Sequence, residues 1–490
     1  MAERGGWSGD DEFDDFDWTE PPPRQRRRRS HSETGEGESL ERESPEGESL
    51  ERESPEREAL ERELGLPVEG ETVPVDLGGY PSPESEAGPF GGGESGRATA
   101  ERRRSTSEYE RVARRPHPTG EHRRHRDLPA KVRRRQAIAA GAIALIVVIG
   151  LIVLIGGGGG GGEQEQPLPL KRVVGQTIIG KVGKEGASER LLRSVRKGQL
   201  GGVIVLPRNE RTLEQQVGQL QDAAKAGGNP PLLVMIDQEG GEVKRLPGPP
   251  DQSPPQIGES GDADVAREQG DATGTYLAGL GVNVDLAPVL DVERPTTADT
   301  IASRTFGDDP NLVSELGVAF IEGLQGADVA ATAKHFPGLG LATVNPDDGP
   351  VTVAATEEDL SAAVAPFQDA VEAGVDMVMM STAAYPGLGS REPAALAPQI
   401  VQGLLRDQLG FEGVIITDDL EGDAIADERD PANAAIAALA AGNDLAVFAR
   451  SARTAATAFD AVVKAAKAGE LDRGLLDQAY ARVATLKAGL

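Results

Sequence analysis

Eight short runs of apolar, largely β-branched residues recur through the C-terminal two thirds of this 490-residue chain, separated by longer stretches rich in Ala, Leu and Glu. The runs lie at 173–179, 202–206, 232–236, 282–286, 329–334, 375–381, 413–417 and 444–448. Helical patterns fall between them at 211–225, 312–324, 357–372, 398–409 and 431–441. Strands that alternate with helices this regularly predict an α/β fold, a single (β/α)8 TIM-like barrel over residues 166–490. An open doubly wound sheet is the competing arrangement. No GxGxxG follows the first strand to support a dinucleotide site.

The preceding residues are of two other kinds. Segment 1–136 is polar and charge-blocked, and the unit GESLERESPE stands at 37–46 and again at 47–56. Two copies cannot bury a core, and the composition cannot offset the entropy of ordering, so a disordered charged tail is predicted. Ala137–Ile155 then runs for 19 residues without a charge. As a helix it would extend about 28 Å, close to the hydrocarbon thickness of a bilayer. Lys131, Arg133, Arg134 and Arg135 precede it, while Glu163 and Glu165 follow it, near the end of a glycine-rich linker at 156–165. The positive-inside bias predicts a single-pass membrane protein with residues 1–136 in the cytoplasm and the barrel outside. The bilayer is thus an expected partner through 137–155.

Composition removes several functions. The chain has no cysteine, which excludes disulfides, thiol nucleophiles and Cys-based zinc sites. A net charge of −29 argues against a nucleic-acid partner. Nothing suggests a metal or redox cofactor.

Active sites of such barrels gather at the C-terminal ends of the strands. Polar clusters stand there repeatedly: Asp237-Gln238-Glu239 after the third run, Lys334-His335 at the end of the fifth, and Asp418-Asp419 after the seventh. A carboxylate at the mouth of a barrel suits a nucleophile, and mixed donors and acceptors suit a polyhydroxylated ligand. Asp419 is expected to cap the following helix instead.

IDQEGG (236–241), GVNVDLAPVLDV (281–292), SRTFGDDP (303–310), KHFPGLG (334–340) and GFEGVIITDDL (410–420) occur in that order. On these motifs the region 166–490 resembles the bacterial β-N-acetylglucosaminidases of glycoside hydrolase family 3. The resemblance implies a retaining glycosidase acting on a glycan, with Asp418 as the nucleophile. It also implies that Asp237, Arg304, Lys334 and His335 hold the sugar hydroxyls. On the residues alone, Arg304 has an alternative in a salt bridge to Asp308 or Asp309.

The chain departs from that pattern at one place. These enzymes usually carry an Asp–His pair as mobile general acid/base on the loop after KHFPG. Here Leu339 replaces a histidine, and Asn345-Pro346-Asp347 occupies the place of the pair. The histidines are His31, His117, His122, His125 and His335, so 166–490 holds one. Further, Glu242 stands where an arginine is usual and Gly422 where a methionine is frequent. Two readings follow. Either Asp347, or its neighbour Asp348, supplies the proton, or the domain is a sugar-binding pseudoenzyme and Asp347-Asp348-Gly349 is an ordinary turn.

Overall fold

A computed structural model describes residues 168–490, apart from 184, 185, 208 and 428. Its eight parallel barrel strands are β1 (Ile178–Val182), β2 (Gly202–Val205), β3 (Leu233–Ile236), β6 (Val284–Asp285), β7 (Ala330–Phe336), β8 (Met377–Met380), β9 (Val414–Asp419) and β10 (Leu445–Val447). Each pairs with the next in the chain, and β10 returns to β1 to close the barrel. A short antiparallel hairpin, β4 (Gln238–Gly240) and β5 (Val243–Lys244), follows β3. The barrel is the arrangement predicted, and the doubly wound sheet is set aside by its closure.

The strands are buried on both faces, which is why their sequences are continuous apolar runs rather than alternating ones. Ile179, Ile204, Leu233, Met235, Leu286, Met379, Ile416 and Val447 fill the interior, while Val203, Val234, Ala331 and Ile415 face the helices. Helix starts are fixed chemically. Ser253 with Gln256 and Thr356 with Asp359 form capping boxes, and Asp309 and Asp430 cap helices that begin with proline.

The first predicted strand needs correction. Val173 and Val174 belong to the helix Leu170–Gly175, and the strand starts only at Ile178. A Cβ on Gly175 would stand 1.8 Å from the carbonyl oxygen of Gly198, so the chain turns there against a neighbouring backbone. An apolar run of this length does not distinguish buried helix from buried strand by periodicity.

The C-terminal helix Arg473–Gly489 closes the other end. Val483 joins the interior cluster, and Lys487 Nζ donates to Gln176 Oε1 (2.6 Å) and the Gly201 carbonyl (2.7 Å), just before β1 and β2. Among the described residues no helix is long and apolar enough to cross a membrane. The predicted tail 1–136, span 137–155 and linker 156–165 lie outside the described residues.

Candidate active site

Strand ends and the loops after them enclose a cavity of about 660 Å³, lined by Asp237, Arg304, Lys334, His335, Asp347 and Asp418 among others. All six residues singled out in the sequence therefore meet in one place. A smaller cavity of about 240 Å³, lined by Asp376, Phe411 and Arg482, lies before β8 and β9, away from these groups.

The floor is a buried ion cluster. Lys334 Nζ, at the end of β7, lies 2.9 Å from Asp237 Oδ1 and 2.6 Å from Glu239 Oε1. Arg304 Nε and Nη2 donate to the two oxygens of Glu239, each at 2.8 Å, in a bidentate fork. Its partner is thus Glu239, not Asp308 or Asp309. Burial pushes the Glu239 carboxyl up, but the charges of Lys334 and Arg304 outweigh it and hold the pKa down at about 2. Burial opposes the charges of Lys334 and Arg304 too, and their carboxylate neighbours more than restore them. The hairpin that presents Glu239 is stapled by buried Gln238. Its side-chain oxygen accepts from the Arg245 and Leu246 amides, and its amide donates to the Leu246 and Pro249 carbonyls.

One wall is set by Asp291, which is fully buried. Its Oδ1 accepts from the amides of His335 (3.3 Å) and Leu339 (2.6 Å), and its Oδ2 stands 2.7 Å from His335 Nδ1. An ionised carboxylate can only accept, so it assigns a proton to Nδ1 and turns Nε2 toward the cavity. There Nε2 lies 3.4 Å from Arg304 Nη2 and 4.0 Å from Asp418 Oδ2.

Opposite stand the carboxylates. Asp418 Oδ1 accepts from the Asp419 amide at 2.8 Å, which leaves Oδ2 facing His335. Asp347 sits on a single turn, Pro346–Asp348, in the loop after β7. Burial, and then the charge of Asp418, raise its pKa. Asp419 does not cap the following helix, whose N-cap is Gly422. Its Oδ1 instead accepts from Glu421 and Ala449 amides, tying β9 to the end of β10, and burial raises its pKa to about 6.

Glu239 stands in a polar cluster named from the sequence but received no role there, and Asp291 and Arg450 were not named as candidates. The first two lie inside quoted motifs, IDQEGG and GVNVDLAPVLDV, and it is the structure that sets Glu239 against Lys334 and Arg304 and Asp291 against His335. Arg450 stands two residues past the apolar run 444–448, a strand end where the same rule could have pointed to it.

A closed parallel barrel with two cavity-facing carboxylates above a buried acid–base floor is the frame of a barrel glycosidase. The chain belongs to glycosyl hydrolase family 3, a family of glycosidases: residues 173–486 match the model of the family's N-terminal domain. It is 32% identical over 297 residues to the Mycobacterium tuberculosis protein named Beta-hexosaminidase LpqI, an alignment of 59% of this chain and 76% of that one. It is also similar to a solved family 3 β-N-acetylglucosaminidase from a Paenibacillus species (33% identity, TM-score 0.62), covering 66% of this chain and 63% of that one. For the β-N-acetylhexosaminidase structure from Beutenbergia cavernae the values are 34% and 0.60, covering 66% of this chain and 99% of that one.

Proposed function

We propose that this protein is a membrane-anchored, extracytoplasmic β-N-acetylhexosaminidase that removes terminal β-linked N-acetylglucosamine units, of cell-wall material in particular, by a retaining mechanism. The observation that carries the reading is the placement of Asp418 and Asp347 in one cavity with Lys334, Arg304, Asp237 and His335. The names of the similar proteins support the sugar.

In the first step Asp418 Oδ2 attacks C1 of the terminal sugar. The glycosidic C–O bond breaks, and Asp347, acting in its protonated form, gives its proton to the departing oxygen. In the second step Asp347 removes a proton from water as that water attacks C1, which releases Asp418 as carboxylate and restores the acid. Asp237, Lys334, Arg304 and His335 bind the hydroxyls. Held by the Lys334–Asp237, Arg304–Glu239 and His335–Asp291 contacts, they need no rearrangement as positive charge develops on the sugar. The anchor is the run 137–155, oriented by the cationic residues before it and the acids after it.

The full chain, purified in detergent, should hydrolyse 4-nitrophenyl β-N-acetylglucosaminide in preference to the β-glucoside. Asp418→Asn should lower kcat by at least about 10³-fold. Glycan binding without turnover of either substrate would replace this reading with the one that the missing second histidine favours, a sugar-binding protein on an enzyme's frame. Protease added to intact spheroplasts should digest the barrel and spare residues 1–136. The reverse pattern would refute the topology.

A further inference from the structure

Arg450 follows β10 and lines the cavity beside Asp347. Its backbone is pinned from below, since the amides of Arg450 and Ser451 both donate to Glu421 Oε2, at 2.8 and 2.9 Å. Its guanidinium reaches the end of β9, the short helix after it and the Asp347 turn at once. Nη1 lies 2.5 Å from Asp423 Oδ1, Nε lies 3.5 Å from Asp419 Oδ2, and Nη2 donates to the backbone carbonyl of Asp347 at 3.4 Å. The turn Pro346–Asp348 packs on the short helix Asp423–Ala426. Gly422 lies against the turn: a Cβ there would stand 3.1 Å from the Asp419 carbonyl oxygen and in ordinary contact, 3.6 Å, with Asp347 Oδ1.

Stability does not account for this arrangement. The side chains of Arg450 and Asp423 are 45% and 46% exposed, and such pairs contribute little. The arrangement fits a task at the cavity instead. A proton donor carried on a loop has to be held over the leaving oxygen, and its pKa has to be raised without becoming too high to release the proton. Burial and Asp418 raise Asp347, while His335, Arg450 and Arg304 lower it.

We propose that Arg450 is the positioning residue for proton transfer, latching the Asp347 turn onto the end of β9, the short helix after it and the segment after β10. The proposal rests on the reading of Asp347 as the acid/base.

The test uses the full chain with two aryl β-N-acetylglucosaminides. 2,4-Dinitrophenolate departs without a proton, and phenolate needs one. Arg450→Met should lower kcat/KM for the phenyl substrate by about 10- to 100-fold more than for the dinitrophenyl substrate, within the range a general acid supplies. Arg450→Lys, which keeps the charge and loses the fork, should recover much of that difference. The basic limb of kcat for the phenyl substrate should move to higher pH in Arg450→Met, because removal of the cation tightens the acid's hold on its proton. An arginine that only braced the loop would move the limb the other way, as water reached Asp347. Equal losses on both substrates, or a limb that stays or falls, would overturn the proposal. Asp347→Ala separates the two levels. If it shows the leaving-group dependence and acceleration by azide while Arg450→Met behaves as wild type, the latch alone fails. If it shows neither, the assignment of Asp347 falls and the latch with it.

Discussion

Glu239 keeps its negative charge where water barely reaches, because Lys334 and Arg304 both hold it, and in return it neutralises two buried cations. Removing one member of such a cluster is costlier than the cluster is stabilising, since the partners remain charged and buried. Glu239→Gln keeps the shape and loses the charge, so it should lower unfolding free energy by about 3 kcal/mol at pH 7. With a folded pKa near 2 against an ordinary 4.5, the unfolded chain binds the extra proton between those values. The contribution is therefore complete above about pH 4.5 and shrinks as pH falls toward 2. Urea titrations of wild type and Glu239→Gln should show a gap that narrows between pH 7 and pH 3. A gap independent of pH would show that the ion cluster does not set the pKa. Glu239 also marks what can be read at this scale. Asp237, Lys334, His335 and Asp418 are visible because each ends an apolar strand. Arg450 stands two residues past the apolar run 444–448, at a strand end like the others, but its contact with Asp347 spans 103 positions of sequence, a proximity that only the closed barrel creates.

Strands and helices were legible wherever an apolar run was flanked by caps and turns, as with Val414–Asp419 or the helix Glu357–Ala373 with its Thr356–Asp359 box. Legibility failed at VVGQTII, where tertiary contact at Gly175 decides between helix and strand. It also failed at the contacts between motifs. The last glycine of KHFPGLG packs on the backbone of APVLDV so closely that a Cβ on Gly340 would stand 2.1 Å from the Val292 carbonyl oxygen. That is backbone against backbone, and no side chain can yield. Gly340→Ala should therefore cost about 1–3 kcal/mol through overpacking. It should also cost activity, because the strained segment carries Leu339, whose amide is held by Asp291, the residue that orients His335. Thermal melts and turnover of the nitrophenyl substrate check the two halves. Stability lost with turnover intact would mean that the loop absorbs the displacement without disturbing the histidine.

At the scale of the whole molecule, the eightfold alternation implied the closed barrel, whereas the plug at its N-terminal end left no pattern that assigned it there. The helix Arg473–Gly489 sends Val483 into the interior and draws the Lys487 ammonium in against Gln176 and Gly201. Burial alone pulls the Lys487 ammonium down from 10.5 to about 7. Between those values the unfolded chain binds a proton that the folded chain does not. Folding stability should therefore rise with pH from 7 upward, with a slope approaching about 1.4 kcal/mol per unit. The clean window ends near pH 10. Above it, ionisation of Tyr276, raised to about 12, and of Arg406, lowered to about 10, enters the balance. Lys487→Met should abolish the slope between pH 7 and 10. Its absolute stability combines relief from a buried charge with two orphaned acceptors, Gln176 Oε1 and the Gly201 carbonyl, so the slope is the quantity to read. The barrel region 166–490 contains no tryptophan, so far-UV circular dichroism is the probe that follows the unfolding. If the wild-type slope persists in Lys487→Met, the ammonium is solvated in the folded state, and the helix closes the barrel by Val483 and its apolar neighbours Leu486 and Leu490 alone.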